Sequence, residues 1–144
     1  MSQIIAQGKA PEMEGSIVKR GHNEGMKLAL SVLEEFSLPL GILPLADVTE
    51  AGFVRSTGYF WVHQQRGVEH YFKKVGKLVS YETEITGCIQ HNSIKELKGV
   101  SAKLLLWLSV NEIIIEESSV ENIHFKGFGG ISRTFPVEAF QLGE

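Results

Sequence analysis

The stretch VSYETEITGCIQ, Val79–Gln90, decides the fold class of this 144-residue chain. Its large apolar side chains fall on odd-numbered positions and its charged side chains on even-numbered ones. Successive side chains of a β-strand point to opposite faces, so a period of two over twelve residues predicts a long strand with one buried and one solvated face.

Short segments of the same kind surround this strand. Seven of them are predicted strands: residues 48–54, 59–65, 68–73, 94–98, 103–116, 121–126 and 131–135. Most are separated by turns that contain glycine, and the chain has 15 glycines, above the usual ~7%. Because no helical pattern separates consecutive strands, we expect an antiparallel β roll or barrel of about eight strands.

One helix is predicted before the strands. Apolar residues recur at helical spacing from Met26 to Phe36, Asn23 is placed to cap the start, and the helix must end before Pro39. The following stretch LPLGILPL, residues 38–45, is apolar but holds two prolines, so we interpret it as a strap that packs the helix against the sheet. The expected organisation is a flexible leader over 1–22 and a single β-roll domain over 23–144.

The composition of the chain argues against several classes of protein. Cys88 is the single cysteine, so no intrachain disulfide can form, and the net charge of −3 gives no general attraction to nucleic acid. The basic cluster of Lys73, Lys74 and Lys77 is interpreted as a solvated turn. No apolar run approaches the ~18 residues of a membrane helix and no secretory signal is apparent, so we expect a cytoplasmic protein without a transmembrane segment. Nothing in the sequence calls for a cofactor.

A histidine pair is the best geometric candidate for a metal site. If Arg66-Gly67 is a two-residue hairpin turn, His63 and His70 stand directly opposite each other, with Cβ atoms about 4.5–5.5 Å apart. That distance would let two imidazoles share a metal ion. A half-solvated histidine pair is the simpler explanation of the pattern, and because no third ligand is apparent, we predict no metal.

Two glutamates form the second candidate pair. Glu82 and Glu84 lie on one face of the predicted strand with Cα atoms about 6.6 Å apart, within the range of paired carboxylates in glycosidases. They occupy the polar side of the strand, however, where nothing predicts the apolar surroundings that a catalytic acid needs. We therefore predict no catalytic residue.

Several motifs resemble a known family. They are LPLGILPL (38–45) followed by Asp47, KLVSYETE (77–84), LKGVSAK (97–103), Trp107 followed by NEI (111–113), and SRTFPV (132–137) with Ala139 and Phe140. Over roughly residues 30 to 142 the chain resembles the plant domain-of-unknown-function family 538. It is most similar to the subgroup without a signal peptide, which includes a protein implicated in trichome size and branching. The resemblance implies a mostly β roll or barrel after a helix and brings no assigned activity.

The resemblance and the aromatic strands together suggest a ligand site. Tyr81, Lys103, Trp107 and Arg133 match the family's motifs, and Trp61 lies on another predicted strand, so these five are the candidate ligand-binding residues. We expect a non-enzymatic plant regulatory or binding protein that holds a lipid or other small apolar ligand in its β barrel.

Two other functions stay open. One is a weak hydrolase of esters or glycosides that uses Glu82 with Glu84 or His63 with His70. The other is a protein–protein interaction module that uses an exposed sheet edge or the turn from Lys73 to Lys77.

Overall fold

The computed structural model describes residues 15–144, which contain nine strands, one α-helix and two 3₁₀ helices. In chain order the elements are β1 (Ser16–Arg20), α1 (His22–Glu35), β2 (Val48–Val54), β3 (Tyr59–Gln64), β4 (Val68–Phe72), β5 (Lys77–Gln90), β6 (Ser93–Lys103), β7 (Trp107–Ile115), β8 (Asn122–Gly127), a 3₁₀ helix (Phe128–Gly130), β9 (Ser132–Pro136) and a second 3₁₀ helix (Val137–Phe140). The strands form one antiparallel sheet in the order β1-β2-β3-β5-β6-β7-β8-β9, with β4 also beside β5. The predicted mainly β, roll-like fold is confirmed, and the sheet stays open between β1 and β9.

β3 and β4 lie end to end along the same edge of β5. β3 pairs with the second half of β5, from Tyr59 opposite Cys88 to His63 opposite Glu84. β4 pairs with the first half, from Val68 opposite Tyr81 onwards. The hairpin predicted at Arg66-Gly67 is therefore wrong, and these residues belong to an interruption between two strands that run in the same direction.

The side chain of Gln64 explains this interruption. Gln64 is buried, and its Nε2 donates hydrogen bonds to the carbonyl oxygens of Tyr81 and Glu82, at 3.1 and 2.8 Å. Its Oε1 accepts a hydrogen bond from the backbone N–H of Ala46 at 3.2 Å. One amide side chain thus satisfies backbone groups that a continuous β ladder would have paired, as burial requires.

The ladder between β5 and β6 shifts its register at Gly99, between the pairs Tyr81–Val100 and Thr86–Lys98. Gly99 has φ +92°, and a Cβ atom there would lie 2.3 Å from the carbonyl oxygen of Glu84. Only glycine accepts both the positive φ and this close backbone approach. We use this shift to divide the sheet into two halves: α1 packs on β1 and β2 in the first, and β4 to β9 surround an apolar interior in the second.

The region before the helix differs from the expectation. Ser16–Arg20, within the expected leader, forms β1 and pairs with β2 from Ser16 opposite Val54 to Arg20 opposite Glu50. The helix begins at His22 after Gly21, without a side-chain cap, so Asn23 is not the N-cap. Instead, His22 Nδ1 accepts a hydrogen bond from the N–H of Val48 at 3.1 Å. The remaining leader residues, 1–14, lie outside the described residues.

The strap packs as its sequence predicts. Leu38, Ile42 and Leu43 are buried in the same core cluster as residues of the helix and the sheet. The N–H of Gly41 donates a hydrogen bond to the carbonyl oxygen of Phe140 at 2.8 Å, which holds the strap against the closing 3₁₀ helix. The strap therefore joins the helix, the sheet and the C-terminal segment.

One apolar run forms only part of the predicted strand. The segment predicted as a strand over 103–116 begins as β7 only at Trp107, and Lys103 still belongs to β6. Leu104–Leu106 form the turn between the two strands, with Leu105 and Leu106 exposed. The β-branched end of the run and the neighbouring strands favour a strand over its whole length, yet Leu105 and Leu106 stand at the tip of a hairpin.

Candidate functional site

The second half of the sheet encloses an apolar cavity. Its walls come from the strap, from β4 to β9 and from the closing 3₁₀ helix: Ile42, Leu43, Phe72, Val75, Lys77, Val79, Tyr81, Val100, Ala102, Leu104, Leu108, Ser109, Val110, Ile113, Phe125, Gly127, Ile131, Arg133, Phe135 and Phe140. The space that the centre of a water-sized sphere can occupy is ≈ 70 Å³. Since one water needs about 10–15 Å³ by this measure, the cavity has room for a short apolar group.

Tyr81 supports the cavity from β5. Its side chain is buried, and its hydroxyl donates a hydrogen bond of 2.9 Å to the carbonyl oxygen of Ile42 in the strap. Burial raises the pKa of Tyr81 above the ordinary value for a phenol, so the side chain stays protonated and keeps its donor. The residue thereby fixes the strap across one side of the cavity.

The cavity opens between two cations, Lys77 and Arg133. Lys77 continues the alternation of Val79 and Tyr81 on β5, and Arg133 lies opposite Phe125 in the β8–β9 register. A shallow surface hollow of ≈ 470 Å³ shares Lys77, Leu104 and Arg133 with the cavity, so the two spaces meet there. We call this opening the mouth. Within residues 15–144, no carboxylate lies within 4.0 Å of either cation's charged nitrogens.

The structure places the five predicted ligand-binding residues in four environments. Tyr81 and Arg133 line the cavity, and Lys103 lines the hollow outside the mouth. Trp107 is 40% exposed outside the cavity, with Lys103 Nζ 5.4 Å from its ring centroid. Trp61 lies in the other half of the sheet, where its Nε1 donates a 2.7 Å hydrogen bond to Glu50 Oε2.

Sequence reasoning missed Lys77 as a site residue. In the sequence, Lys77 stands beside Lys73 and Lys74 in a basic cluster that is typical of a solvated turn. The sequence feature that indicates Lys77 is the alternation of apolar and polar residues. When the pattern is extended backwards by two residues, Lys77 falls on the same face as Val79 and Tyr81. A lysine in the apolar phase at the end of a strand marks the edge of the interior.

The predicted histidine pair is not formed. His63 lies opposite Glu84, with His63 Nε2 3.2 Å from Glu84 Oε2, whereas His70 lies opposite Val79. The two histidines were expected to face each other across a hairpin, but both strands pair with β5 instead. No group of three or more His, Cys, Asp or Glu side chains in the described part of the chain could hold a metal ion.

The predicted carboxylate pair faces solvent. Glu82 and Glu84 are both exposed, on the face of β5 opposite to the buried Tyr81 and Ile85. Neither residue lines the cavity, and the cavity walls carry no carboxylate, imidazole or thiol. The chemistry gathered at the cavity is therefore apolar contact, two hydroxyls and the two cations of the mouth.

No helix among the described residues is long and apolar enough to span a membrane. No solved structure matches the chain. An uncharacterized protein of Arabidopsis thaliana is 27% identical over 89 residues, which cover 62% of this chain and 51% of that protein, so the match spans about half of the relative's length. A family model matches residues 29–141, a segment that includes the strap, the cavity and its mouth. The chain belongs to the family described as "protein of unknown function, DUF538".

Proposed function

We propose that this protein is a non-enzymatic binding protein for a small amphipathic molecule. The apolar part of the ligand occupies the cavity, and an anionic group lies at the mouth near Lys77 and Arg133. The observation that carries the proposal is an apolar cavity that opens between two cations without carboxylate partners in the described residues. Such a combination, with apolar walls and a few placed polar groups, is typical of small-molecule sites.

The physical chemistry of the cavity sets the expected affinity pattern. Each methylene group taken from water into an apolar site contributes about 0.8 kcal/mol, or about fourfold in affinity. Because the cavity is small, at ≈ 70 Å³, this gain should stop after a few methylene groups. An anionic head at the mouth adds attraction to Lys77 and Arg133, which a neutral ligand lacks.

Binding fits the cavity better than catalysis does. Glu82 and Glu84 lie on the solvated face of β5, and His63 with Glu84 is also outside the cavity. Tyr81, with its raised pKa, stays protonated near neutral pH and cannot serve as a base there. The proposal keeps the predicted cytoplasmic location and regulatory role in plants, for which the family resemblance is the support.

Calorimetric titration with acetate, butanoate, hexanoate and decanoate tests the proposal. We expect the affinity to rise about fourfold per methylene until the cavity is full, and the methyl esters to bind more weakly than the acids. The variant Ala102→Leu fills the cavity and should abolish this dependence on chain length. Ala29→Leu makes the same change in the small void beneath α1 and serves as the matched control. Equal behaviour of the two variants, or no binding by the unmodified protein, would contradict the proposal.

A further inference from the structure

Three hairpin tips surround the mouth. Register pairs close the turns: Phe72 with Lys77 for β4–β5, Lys103 with Trp107 for β6–β7, and Lys126 with Ser132 for β8–β9. The pairs Val79–Ala102 and Val110–Gly127 place all three turns at the same end of the sheet. We call residues 73–77, 103–107 and 126–133 the rim.

The rim exposes large apolar side chains. Leu105 is 96% exposed, Leu106 72% and Phe128 71%, with Trp107 and Ile131 partly covered. Exposed apolar residues that stand singly are ordinary, but a cluster of this size at one end of a domain marks a binding surface. Leu105, Leu106 and Phe128 lie outside the hydrophobic core, so folding does not account for their apolar character.

The rim is also strongly basic. It holds six cations and no aspartate or glutamate, although the whole chain has a net charge of −3: Lys73, Lys74, Lys77, Lys103, Lys126 and Arg133. Lys74 has a carboxylate partner, Glu144, at 3.5 Å, and Lys126 stands opposite Glu112 in the β7–β8 register. The other four have no ion pair within 4.0 Å in the described part of the chain. The protein is therefore polarised, with positive charge gathered around the exposed apolar tips.

We propose that the rim docks on the surface of an anionic lipid bilayer. Leu105, Leu106 and Phe128 enter the boundary between headgroups and acyl chains, and the lysines lie among the anionic headgroups. The mouth then faces the membrane, so the inference extends the proposed ligand binding by naming a lipid surface as the source of the apolar chain. Apolar tips interspersed with unpaired cations suit a fluid anionic surface, whereas a protein partner would need fixed pockets for each tip.

Vesicle binding by the full chain tests the inference. The protein is mixed with vesicles of phosphatidylcholine alone or with about 30% phosphatidylserine, and binding is measured by flotation and by tryptophan emission. The chain has two tryptophans, and because Trp61 is buried, a blue shift on binding reports Trp107. We expect binding and a blue shift with the anionic vesicles, weakening as salt increases, and little binding to phosphatidylcholine alone.

Substitutions of exposed apolar residues distinguish docking through the rim from nonspecific binding to vesicles. Leu105→Ser should weaken vesicle binding about tenfold or more, because it removes one inserted leucine side chain. Val120→Ser is the matched control, since Val120 is 64% exposed in the turn between β7 and β8, outside the rim. Equal effects of the two substitutions would overturn the inference.

Charge variants give a second comparison. Lys73→Gln with Lys103→Gln should weaken binding about fivefold for each lysine. The same change at Lys19 and Lys98, which are exposed outside the rim, should have little effect. If both pairs of substitutions weaken vesicle binding equally, the protein is attracted by its overall lysine content and not docked through the rim. That result would overturn the inference.

Decanoate titration without vesicles keeps the two proposals apart. If the protein binds decanoate but no anionic vesicle, docking is wrong and ligand binding stands. If Leu105-dependent vesicle binding occurs without decanoate binding, docking stands and the proposed cavity function is wrong. Self-association through Leu105 in sedimentation experiments, without vesicle binding, would identify the rim as an interface between copies of the chain and would also overturn docking.

Discussion

The hydrogen bond from Tyr81 to the strap offers a direct test of how the cavity is held together. Tyr81→Phe removes only the hydroxyl and leaves the ring, which is 2% exposed, in place. The carbonyl oxygen of Ile42, itself in a residue that is 2% exposed, then loses the donor at 2.9 Å. The ring-packing contacts stay, so the substitution isolates the polar interaction.

The expected cost follows from this burial. A buried acceptor left without a partner costs about 1–3 kcal/mol, so we expect Tyr81→Phe to lower the free energy of unfolding by about 2 kcal/mol. For a chain of 144 residues the unfolding entropy is roughly 0.3 kcal/mol per kelvin, which converts that loss into a decrease in Tm of about 7 °C. This is a substantial part of a typical domain stability of about 5–15 kcal/mol.

Urea and thermal unfolding followed by circular dichroism measure the effect. Tyr71→Phe is the matched control, because Tyr71 is 54% exposed and its substitution should change stability by less than about 0.5 kcal/mol. If Tyr81→Phe also stays within about 0.5 kcal/mol of the unmodified protein, the strap is not held by this hydrogen bond. The role assigned to Tyr81 would then be refuted.

Three further predictions concern the sheet and its pH dependence. Gly99→Ala should destabilise the fold by more than Gly129→Ala, because both have positive φ but only Gly99 abuts another backbone; thermal unfolding compares them. Gly52→Ala should cost about 1–3 kcal/mol in urea unfolding, since its Cβ would lie 2.1 Å from the indole of the paired strand. The hydrogen bond with His124 is the largest of the causes that lower the pKa of Glu116 in the folded protein. The ionised carboxylate of Glu116 therefore stabilises the fold above the unfolded pKa of about 4.3. This contribution is lost as the pH falls through the lowered pKa. The stability difference between the unmodified protein and Glu116→Gln should therefore shrink in urea unfolding as the pH drops from 7 to about 3.

Much of the fold was predictable because its signals are local. The residues of β2 match the predicted strand from Val48 to Val54, and the helix and the strap follow from periodicity and proline. β1 was missed because Ser16–Arg20 is too short to show alternation. The separation of β3 from β4 depends on Gln64, whose side chain hydrogen-bonds to Ala46 and to β5, and residues this far apart in the chain give no local sequence signal.

The site was less predictable because it depends on which half of the sheet a residue occupies. Trp61 and Tyr81 have the same character in sequence, an aromatic side chain on a strand. Trp61 lines a small void together with residues of α1, whereas Tyr81 lines the cavity, and the register shift at Gly99 lies between these two parts of the sheet. Arg133 was indicated by the family resemblance, but only its register opposite Phe125 puts it at the mouth.

Two departures from the sequence pattern coincide in space, and that coincidence argues for function at the mouth. Lys77 takes an apolar position at the end of β5, and the apolar residues Leu104–Leu106 take a turn where polar residues are usual. Folding alone would favour an apolar residue at position 77 and polar residues in the turn. Lys77 brings a charge to the edge of the interior, and the leucines of the turn expose apolar surface. Local rules are broken in natural proteins chiefly where a site requires it. Since Lys77 and Leu104 line the same cavity and the same hollow, one amphipathic ligand or surface accounts for both departures, whereas a purely structural explanation would need a separate reason for each.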